Sequence, residues 1–181
     1  MSGSDSATVA PFDALPPHEA AVFLESCCGA SAWVQGMIDR RPFTTLAVML
    51  QAADEVWWSL TPDDWREAFD HHPRIGESEA AASPSAQARG WSAAEQRGVS
   101  VADADVRTAL AESNREYERH FGHIYLVCAT GKSAEELLEL LRARLHNDPV
   151  TELRVAAGEQ AKITRLRLQK MFGDPSPISQ S

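Results

Sequence analysis

The spacing of apolar residues along the chain predicts α-helices over most of its length. In residues 103–120, side chains that suit a helix face recur at steps of three and four, at Val106, Leu110, Ser113 and Tyr117. Similar spacing, with capping residues and prolines at the expected positions, predicts further helices at residues 17–28, 31–40, 44–60, 61–70, 92–97, 133–146 and 149–172. The expected fold is therefore all-α, a single-domain helical bundle of about eight helices.

The two ends of the chain differ in composition from this helical region. Residues 1–16 and 173–181 are rich in small, polar and proline residues, which is typical of flexible tails. Residues 77–91 are rich in Ala, Ser and Gly, and we expect them to form mostly loop. Because the sequence contains no internal repeat and no domain linker, we expect one helical domain at residues 17–172.

One apolar segment, residues 124–129, fits either a buried strand or a buried helix. It is short and partly β-branched, and its periodicity does not decide between the two. The sequence Gly131-Lys132-Ser133 that follows suggests a phosphate-binding loop, but that motif needs a second glycine where this chain has Leu126. A turn at Gly131 before a helix capped by Ser133 is therefore favoured over nucleotide binding.

The amino-acid composition opposes several classes of partner. A net charge of −9 at pH 7 disfavours binding to nucleic acids and to anionic membranes, which both attract basic surfaces. No apolar run is long enough to span a membrane, and the N-terminal residues do not resemble a signal peptide. The three cysteines, Cys27, Cys28 and Cys128, include no CxxC pair, so we expect reduced thiols and a cytoplasmic location.

Two adjacent histidines, His71 and His72, precede Pro73 at the end of a predicted helix. Proline disfavours the helical conformation in the residue before it, so we expect His72 at a break in the chain. Imidazole changes its charge near neutral pH, which suits a general acid or base. The same residues are also compatible with a solvated helix end, where positive charge stabilises the helix dipole.

Two further sets of polar residues permit both a structural and a functional role. Ser92 and Glu95 have the spacing of a helix capping box, but Glu95 and Gln96 near a histidine would also suit a small polar heterocycle. Arg165 and Arg167 lie on different faces of the last predicted helix, and each is either solvent-exposed or a clamp for a planar anion.

A metal site at the histidines is disfavoured. Asp70, His71, His72 and Glu77 are ligand types, but adjacent histidines rarely converge on one ion and the HExxH pattern is absent. We therefore expect no metal.

Six groups of short motifs occur along the chain in an order that is specific only when they are taken together. They are Ser31-Ala32-Trp33-Val34, Arg41-Pro42-Phe43, His72-Pro73, Ser92-Ala93-Ala94-Glu95-Gln96, Asn114 with Tyr117 and Phe121-Gly122, and Asn147-Asp148-Pro149 with Leu166-Arg167-Leu168. From about residue 23 to residue 172 the chain thereby resembles the 2-oxo-4-hydroxy-4-carboxy-5-ureidoimidazoline (OHCU) decarboxylase family of urate breakdown. Arg74-Ile75-Gly76 and His123-Ile124 depart from the family's usual residues.

The resemblance implies an all-helical homodimer that converts OHCU to (S)-allantoin and carbon dioxide without a metal or an organic cofactor. It implies that His72 is the general acid/base and that Glu95 is its catalytic partner. The substrate-binding residues that it implies are Pro73, Ser92, Gln96, Tyr125, Leu126, Val127, Cys128, Ala129 and Arg167. Residues 124–129 would then form an extended or helical piece that contacts the ligand, and not a sheet strand.

Two hypotheses from other functional classes remain open at this point. A helical interaction module with a vestigial site is supported only by His123-Ile124, and it predicts no turnover of OHCU. A metal-dependent hydrolase that uses His71, His72 and Glu77 predicts loss of activity in a chelator.

Overall fold

Eight α-helices make up most of the chain in the computed structural model, which describes residues 7–75 and 104–173. The helices are α1 (Ala10–Asp13), α2 (Pro17–Cys27), α3 (Ser31–Asp39), α4 (Leu46–Ser59), α5 (Pro62–Asp70), α6 (Ala104–Phe121), α7 (Ala134–Arg144) and α8 (Pro149–Phe172). Within these two ranges there is no β-strand, and β-type pairing is limited to an isolated bridge between Thr8 and Thr45. The prediction of an all-α fold with about eight helices is confirmed for the described residues. The loop and short helix predicted at 77–91 and 92–97 lie outside them.

The N-terminal tail predicted for residues 1–16 is wrong where the structure describes it. Residues 10–13 form α1, and Phe12 is fully buried. The Asp13 carboxylate accepts hydrogen bonds from the Phe43 N–H, and the Arg41 guanidinium donates to the carbonyl groups of Phe12 and Asp13. One aromatic side chain and hydrogen bonds to a distant segment hold this helix, and neither produces a local periodicity. The C-terminal tail lies outside the described residues except for Gly173.

The sequence signals at helix starts agree closely with the structure. Ser133 and Glu136 form a reciprocal capping box, in which each side chain accepts a hydrogen bond from the other residue's N–H group. Asp148 accepts from the N–H of Thr151 at 3.0 Å at the start of α8. Gly131, before Ser133, has a positive φ of 79°, which glycine adopts without steric strain. The turn and capped helix predicted here are thus confirmed.

The described chain divides into two compact units, which we take separately. The first comprises residues 7–67 and 161–173. In this unit α3 and α4 pack closely: an added Cβ at Gly36 would lie 2.7 Å from Cγ1 of Val56. The Trp33 indole N–H donates to the Ala53 carbonyl at 3.1 Å. The second unit comprises residues 68–75 and 104–160. The single domain expected at 17–172 stays a prediction.

The core of the second unit is built on α6, α7 and the segment between them. Buried side chains of this core are Ile75, Leu110, Tyr117, Tyr125, Val127, Ala129, Ala134, Leu137, Leu138 and Leu141. Segment 124–129 has neither helical nor strand pairing, so the expectation that it is not a sheet strand is confirmed. Tyr125, Val127 and Ala129 alternate along it, as expected for extended chain with every second side chain on the same side.

Candidate active site

His72 lies at the break in the chain that its position before Pro73 predicts. Helix α5 ends at Asp70, and the His72 N–H still donates to the Phe69 carbonyl at 3.0 Å, which tightens the last turn before the break. His72 is only 8% exposed, whereas its neighbour His71 is half-buried. Burial of a polar ring indicates a role other than capping in solvent, because a buried imidazole loses its contacts with water.

The chain just after His72 is held by side chains of α6. Arg74 Nε and Nη2 contact the two carboxylate oxygens of Glu118 at 2.6 and 3.0 Å. The amide nitrogen Nδ2 of Asn114 donates to the Ile75 carbonyl at 2.8 Å. Each of the two residues that follow Pro73 is therefore tied to α6.

Segment 124–129 is buried although it lacks regular secondary structure, and all six of its residues are at most 9% exposed. In the parts of the chain that the structure describes, the N–H groups of Tyr125, Leu126 and Val127 donate no hydrogen bond. Buried backbone N–H groups are nearly always paired in folded proteins, with protein, water or ligand. In extended chain the N–H groups of Tyr125 and Val127 lie on the same side, so they are suited to binding oxygen atoms of a small polar molecule.

Side chains from outside the segment bind its other backbone groups. The carbonyl of Leu126 accepts from Arg144 Nη1 at 2.7 Å. At Cys128, the N–H donates to Glu159 Oε2 at 2.7 Å and the carbonyl accepts from Lys132 Nζ at 2.8 Å. Charged side chains thus fix the backbone where a sheet would otherwise pair it.

Arg144 belongs to a buried ion pair with Glu152, which is fully buried. Arg144 Nε and Nη2 donate to Glu152 Oε1 at 2.8 and 2.5 Å, and the Tyr117 hydroxyl donates to the same oxygen. Asn147 Nδ2 donates to Oε2 at 2.8 Å. Burial, the largest single cause, would lower the pKa of Arg144, but the hydrogen bond to Glu152 and the electrostatic interactions with Tyr117, Glu152 and Tyr125 together raise it.

The two tyrosines beside this ion pair are held in their neutral form. Burial is the main cause that raises the pKa of Tyr117, and it raises the pKa of Tyr125 to about 12. The Tyr125 hydroxyl donates to the Leu137 carbonyl at 3.3 Å. Both hydroxyl groups therefore act as hydrogen-bond donors here at neutral pH.

The end of α5 and the start of segment 124–129 meet in this unit. The rings of Phe69 and His123 have centroids 5.4 Å apart, and Phe69 precedes His72 by three residues. Ile75 packs in the same core as Tyr125 and Val127. The structure thus brings together the regions of His72, Pro73 and segment 124–129.

Of the remaining predicted site residues, one belongs to the first unit and three lie outside the described residues. Arg167 belongs to the first unit, where it is 3% exposed and Nη1 lies 3.5 Å from the Ser26 carbonyl. The solvent-exposed alternative is therefore wrong for Arg167. The solvent-exposed alternative is confirmed for Arg165, whose side chain is exposed. Its Nη1 lies 3.3 Å from Asp54 Oδ2. Ser92, Glu95 and Gln96 lie outside the described residues.

The cysteines in the first unit are poor nucleophiles. Cys27 and Cys28 are buried, and burial raises the pKa of both thiols, that of Cys28 to about 12. A reactive cysteine requires a thiolate, so these side chains serve as packing residues at neutral pH.

Two features of the described residues bear on other functional classes. Across 7–75 and 104–173, no three His, Cys, Asp or Glu side chains come together as a metal site would require, and Glu77 lies outside these ranges. No helix in the described part has the length and apolar character needed to cross a bilayer.

In the sequence, Asn114 stands out only in a motif and Tyr117 only in that motif and on the apolar face of a helix, and nothing singles out Glu118, Arg144 or Glu152. The one available signal was Asn114, a polar residue at a position three residues before Tyr117 on the apolar face of a helix. Charged residues on amphipathic helices usually face solvent, so no feature of the sequence indicates that Arg144 pairs with Glu152 in the interior.

Comparison with known proteins assigns the chain to a family. The family model described as OHCU decarboxylase matches residues 13–169. The chain is 35% identical over 153 residues to the uric acid degradation bifunctional protein TTL of Arabidopsis thaliana. The aligned region covers 84% of this chain and 47% of that protein. It is also 35% identical over 81 residues to the 2-oxo-4-hydroxy-4-carboxy-5-ureidoimidazoline decarboxylase of Amia calva. Here the aligned region covers 45% of this chain and 46% of that protein. The chain thus spans about half the length of the curated relatives it matches.

Solved structures give the same result. A crystal structure of OHCU decarboxylase in the presence of (S)-allantoin matches with a TM-score of 0.71 and 33% identity, covering 83% of this chain and 96% of that chain. A crystal structure of (S)-allantoin synthase matches with a TM-score of 0.65 but only 16% identity, covering 90% of this chain and 53% of that one. The second likeness concerns the fold alone.

Proposed function

Because the chain belongs to the OHCU decarboxylase family, we propose that it converts OHCU to (S)-allantoin and carbon dioxide in urate breakdown. One observation carries the proposal beyond the family match. The buried imidazole of His72 belongs to the same unit as segment 124–129, which has three buried N–H groups that donate to no described residue. An acid/base group and a row of backbone donors are what a small polar heterocycle requires.

The substrate explains why the reaction needs no cofactor. In OHCU the carbon that carries the carboxylate neighbours a C=N bond of the ring. When the bond to carbon dioxide breaks, its electron pair flows into that C=N bond, so the substrate contains its own electron sink. The protein then has three tasks: to hold the ring, to manage the hydroxyl proton and to deliver a proton to one face of the new centre.

His72 is the proposed general acid/base. A positioned side chain in this role contributes roughly 10² to 10⁴ in rate. Its burial supports the assignment, because an imidazole that is shielded from water exchanges its proton with a bound substrate and not with bulk solvent. Pro73 would hold the turn and contact the ring, and Glu95 would orient His72 through a hydrogen bond.

Backbone groups of segment 124–129 would bind the ring and its ureido group. The N–H groups of Tyr125 and Val127 would donate to substrate oxygens, Leu126 would contact the substrate, and carbonyl groups of the segment would accept from substrate N–H groups. Fixed backbone donors cost no reorganisation when charge develops on the substrate, so they stabilise a transition state efficiently. Ser92 and Gln96 would contact the amide groups, Cys128 and Ala129 would complete the segment, and Arg167 would bind an anionic oxygen.

The test is to generate OHCU in situ by enzymatic oxidation and hydrolysis of urate and to follow allantoin by circular dichroism. We expect faster formation of allantoin and a single optical form. Spontaneous decay gives the background rate in the same cell. Racemic allantoin formed at the background rate would refute the proposed activity and would favour the interaction-module hypothesis.

A matched pair of variants tests the assignment of the imidazole. His72→Ala should nearly abolish turnover with little change in melting temperature, and His71→Ala should have a mild effect, because His71 is the more exposed of the two. Equal losses at both positions would mean that the catalytic histidine is wrongly assigned.

Assembly and location are also part of the proposal. A homodimer in the cytoplasm would fit the family resemblance and the reduced, buried cysteines. Light scattering on the purified protein and fractionation of cells that express it test these two points separately.

A further inference from the structure

Three polar side chains lie on one face of α6, the helix that packs beside the His72 turn. Asn114, Tyr117 and Glu118 are spaced at i, i+3 and i+4, so they are neighbours on the helix surface. Asn114 is 4% exposed and Tyr117 is fully buried. An apolar face would be the ordinary choice for a buried helix surface, so the polar residues need a separate explanation.

Two of these side chains bind the chain immediately after His72. Asn114 Nδ2 donates to the Ile75 carbonyl at 2.8 Å, and the Glu118 carboxylate contacts Nε and Nη2 of Arg74 at 2.6 and 3.0 Å. A two-point contact between a guanidinium and a carboxylate fixes orientation as well as distance. The consecutive residues Arg74 and Ile75 are therefore held at three atoms, which are Nε and Nη2 of Arg74 and the carbonyl oxygen of Ile75.

The Arg74–Glu118 contact contributes little to stability, and the Asn114 contact has an unfavourable side. The Arg74 and Glu118 side chains are 46% and 25% exposed, and ion pairs with this much access to water are weak. The Oδ1 atom of Asn114 is buried and has no hydrogen-bond partner in the described part of the chain, which is unfavourable for folding. Because Asn114 and Glu118 contribute so little to folding stability, their role is better explained by the positions in which they hold Ile75 and Arg74.

The third side chain anchors the helix itself. The Tyr117 hydroxyl donates to Glu152, whose carboxylate binds Arg144, and Arg144 in turn donates to the Leu126 carbonyl. The same face of α6 is thus connected to the His72 turn and to segment 124–129. A shift of α6 would move both.

We propose that Asn114 and Glu118 are positioning residues for the decarboxylation: through Ile75 and Arg74 they set the place of the His72 imidazole relative to the backbone donors of segment 124–129. This inference rests on the proposed function, because it concerns the same site. It predicts that loss of either contact lowers kcat more than it raises KM. A displacement of about 1 Å can cost roughly 100-fold in rate, so a smaller shift should cost about tenfold.

The experiment compares Glu118→Gln and Arg74→Lys with Glu116→Gln, a control on the exposed face of the same helix. Each test change weakens the two-point contact without removing bulk. We expect about a tenfold loss of kcat for each test variant, a melting temperature within about 2 °C of wild type, and no effect in the control. The double variant should lose no more than the worse single variant, because both act through one contact. Asn114→Leu extends the test to the second contact.

A second readout does not depend on turnover. The ring signal of His72, identified by its absence from His72→Asn, is followed by NMR in histidine-labelled protein. We expect it to shift and broaden in Glu118→Gln and Arg74→Lys while the His71 signal stays unchanged. Unchanged kcat and an unchanged His72 signal would overturn the inference. Wild-type protein without turnover would refute the proposed function, while the NMR signal would still decide whether Glu118 positions His72.

Discussion

Removal of the charge on Glu152 should destabilise the protein strongly, although the change replaces one oxygen by nitrogen. Glu152 is fully buried, and its two oxygens accept from Arg144, Tyr117 and Asn147. In Glu152→Gln one end of the amide becomes a donor. If the amide nitrogen replaces Oε1, it faces Arg144 and the Tyr117 hydroxyl, and if it replaces Oε2, it faces the Asn147 amide nitrogen. In both orientations a donor faces a donor.

The size of the effect follows from burial. Breaking a buried ion pair by changing one partner costs about 3–5 kcal/mol, because the other charge is left uncompensated. For a chain of this size each kcal/mol shifts the melting temperature by roughly 2–4 °C, so Glu152→Gln should melt about 6–20 °C lower. Glu139→Gln, an exposed change on α7, is the control and should melt within about 1 °C of wild type.

Thermal melts followed by circular dichroism measure this difference, and a double variant sharpens it. Replacement of both partners, Arg144→Met with Glu152→Leu, should recover part of the lost stability, since an apolar pair removes the buried charge but leaves the Tyr117 hydroxyl without its acceptor. That variant should remain impaired in turnover, because the Leu126 carbonyl loses its Arg144 donor. A Glu152→Gln protein that melts with the wild type would refute the argument that the buried charge pair is essential to this core.

Three further outcomes are expected. Glu95→Gln should lower kcat by at least about tenfold with little change in melting temperature, because an amide keeps a capping hydrogen bond but supplies no charge to His72; a less stable but fully active variant would make Glu95 structural. Prolonged EDTA treatment should leave turnover unchanged, and a stoichiometric metal needed for activity would contradict the mechanism. Stability should fall at high pH: the pKa values of Cys27, Cys28, Tyr117 and Tyr125 are raised in the folded state, so the unfolded chain releases these protons first. The contribution of these four groups to folding stability is complete below about pH 9 and is lost as the pH rises toward their pKa values in the folded state. Thermal melts at pH 7 to 10.5 would measure the loss. A melting temperature that stays constant over this range would contradict the prediction.

Local rules predicted the helices well because caps and prolines are encoded within a few residues. Ser133, Glu136 and Asp148 act at helix starts as their sequence positions indicate. The helix at residues 10–13 was missed because its stabilising contacts, between Asp13 and the Phe43 N–H and between Arg41 and carbonyl groups, join residues about thirty positions apart.

The candidate site was predicted in part for the same reason. The place of His72 at a chain break follows from a single proline, whereas its burial is known only from the structure. Segment 124–129 was ambiguous because its conformation depends on Arg144, Lys132 and Glu159, which bind its backbone from other positions in the sequence. No periodicity within six residues contains that information.

The unpaired N–H groups at residues 125–127 have a consequence for how this chain tolerates mutation. If recognition depends on the backbone, alanine scanning of the segment reports packing and leaves the binding atoms in place. Homologous sequences are then free to vary at Leu126 and Val127 without a change of chemistry, as long as the chain stays extended. The atoms themselves become accessible only to amide-to-ester replacement, which removes one N–H and keeps every side chain.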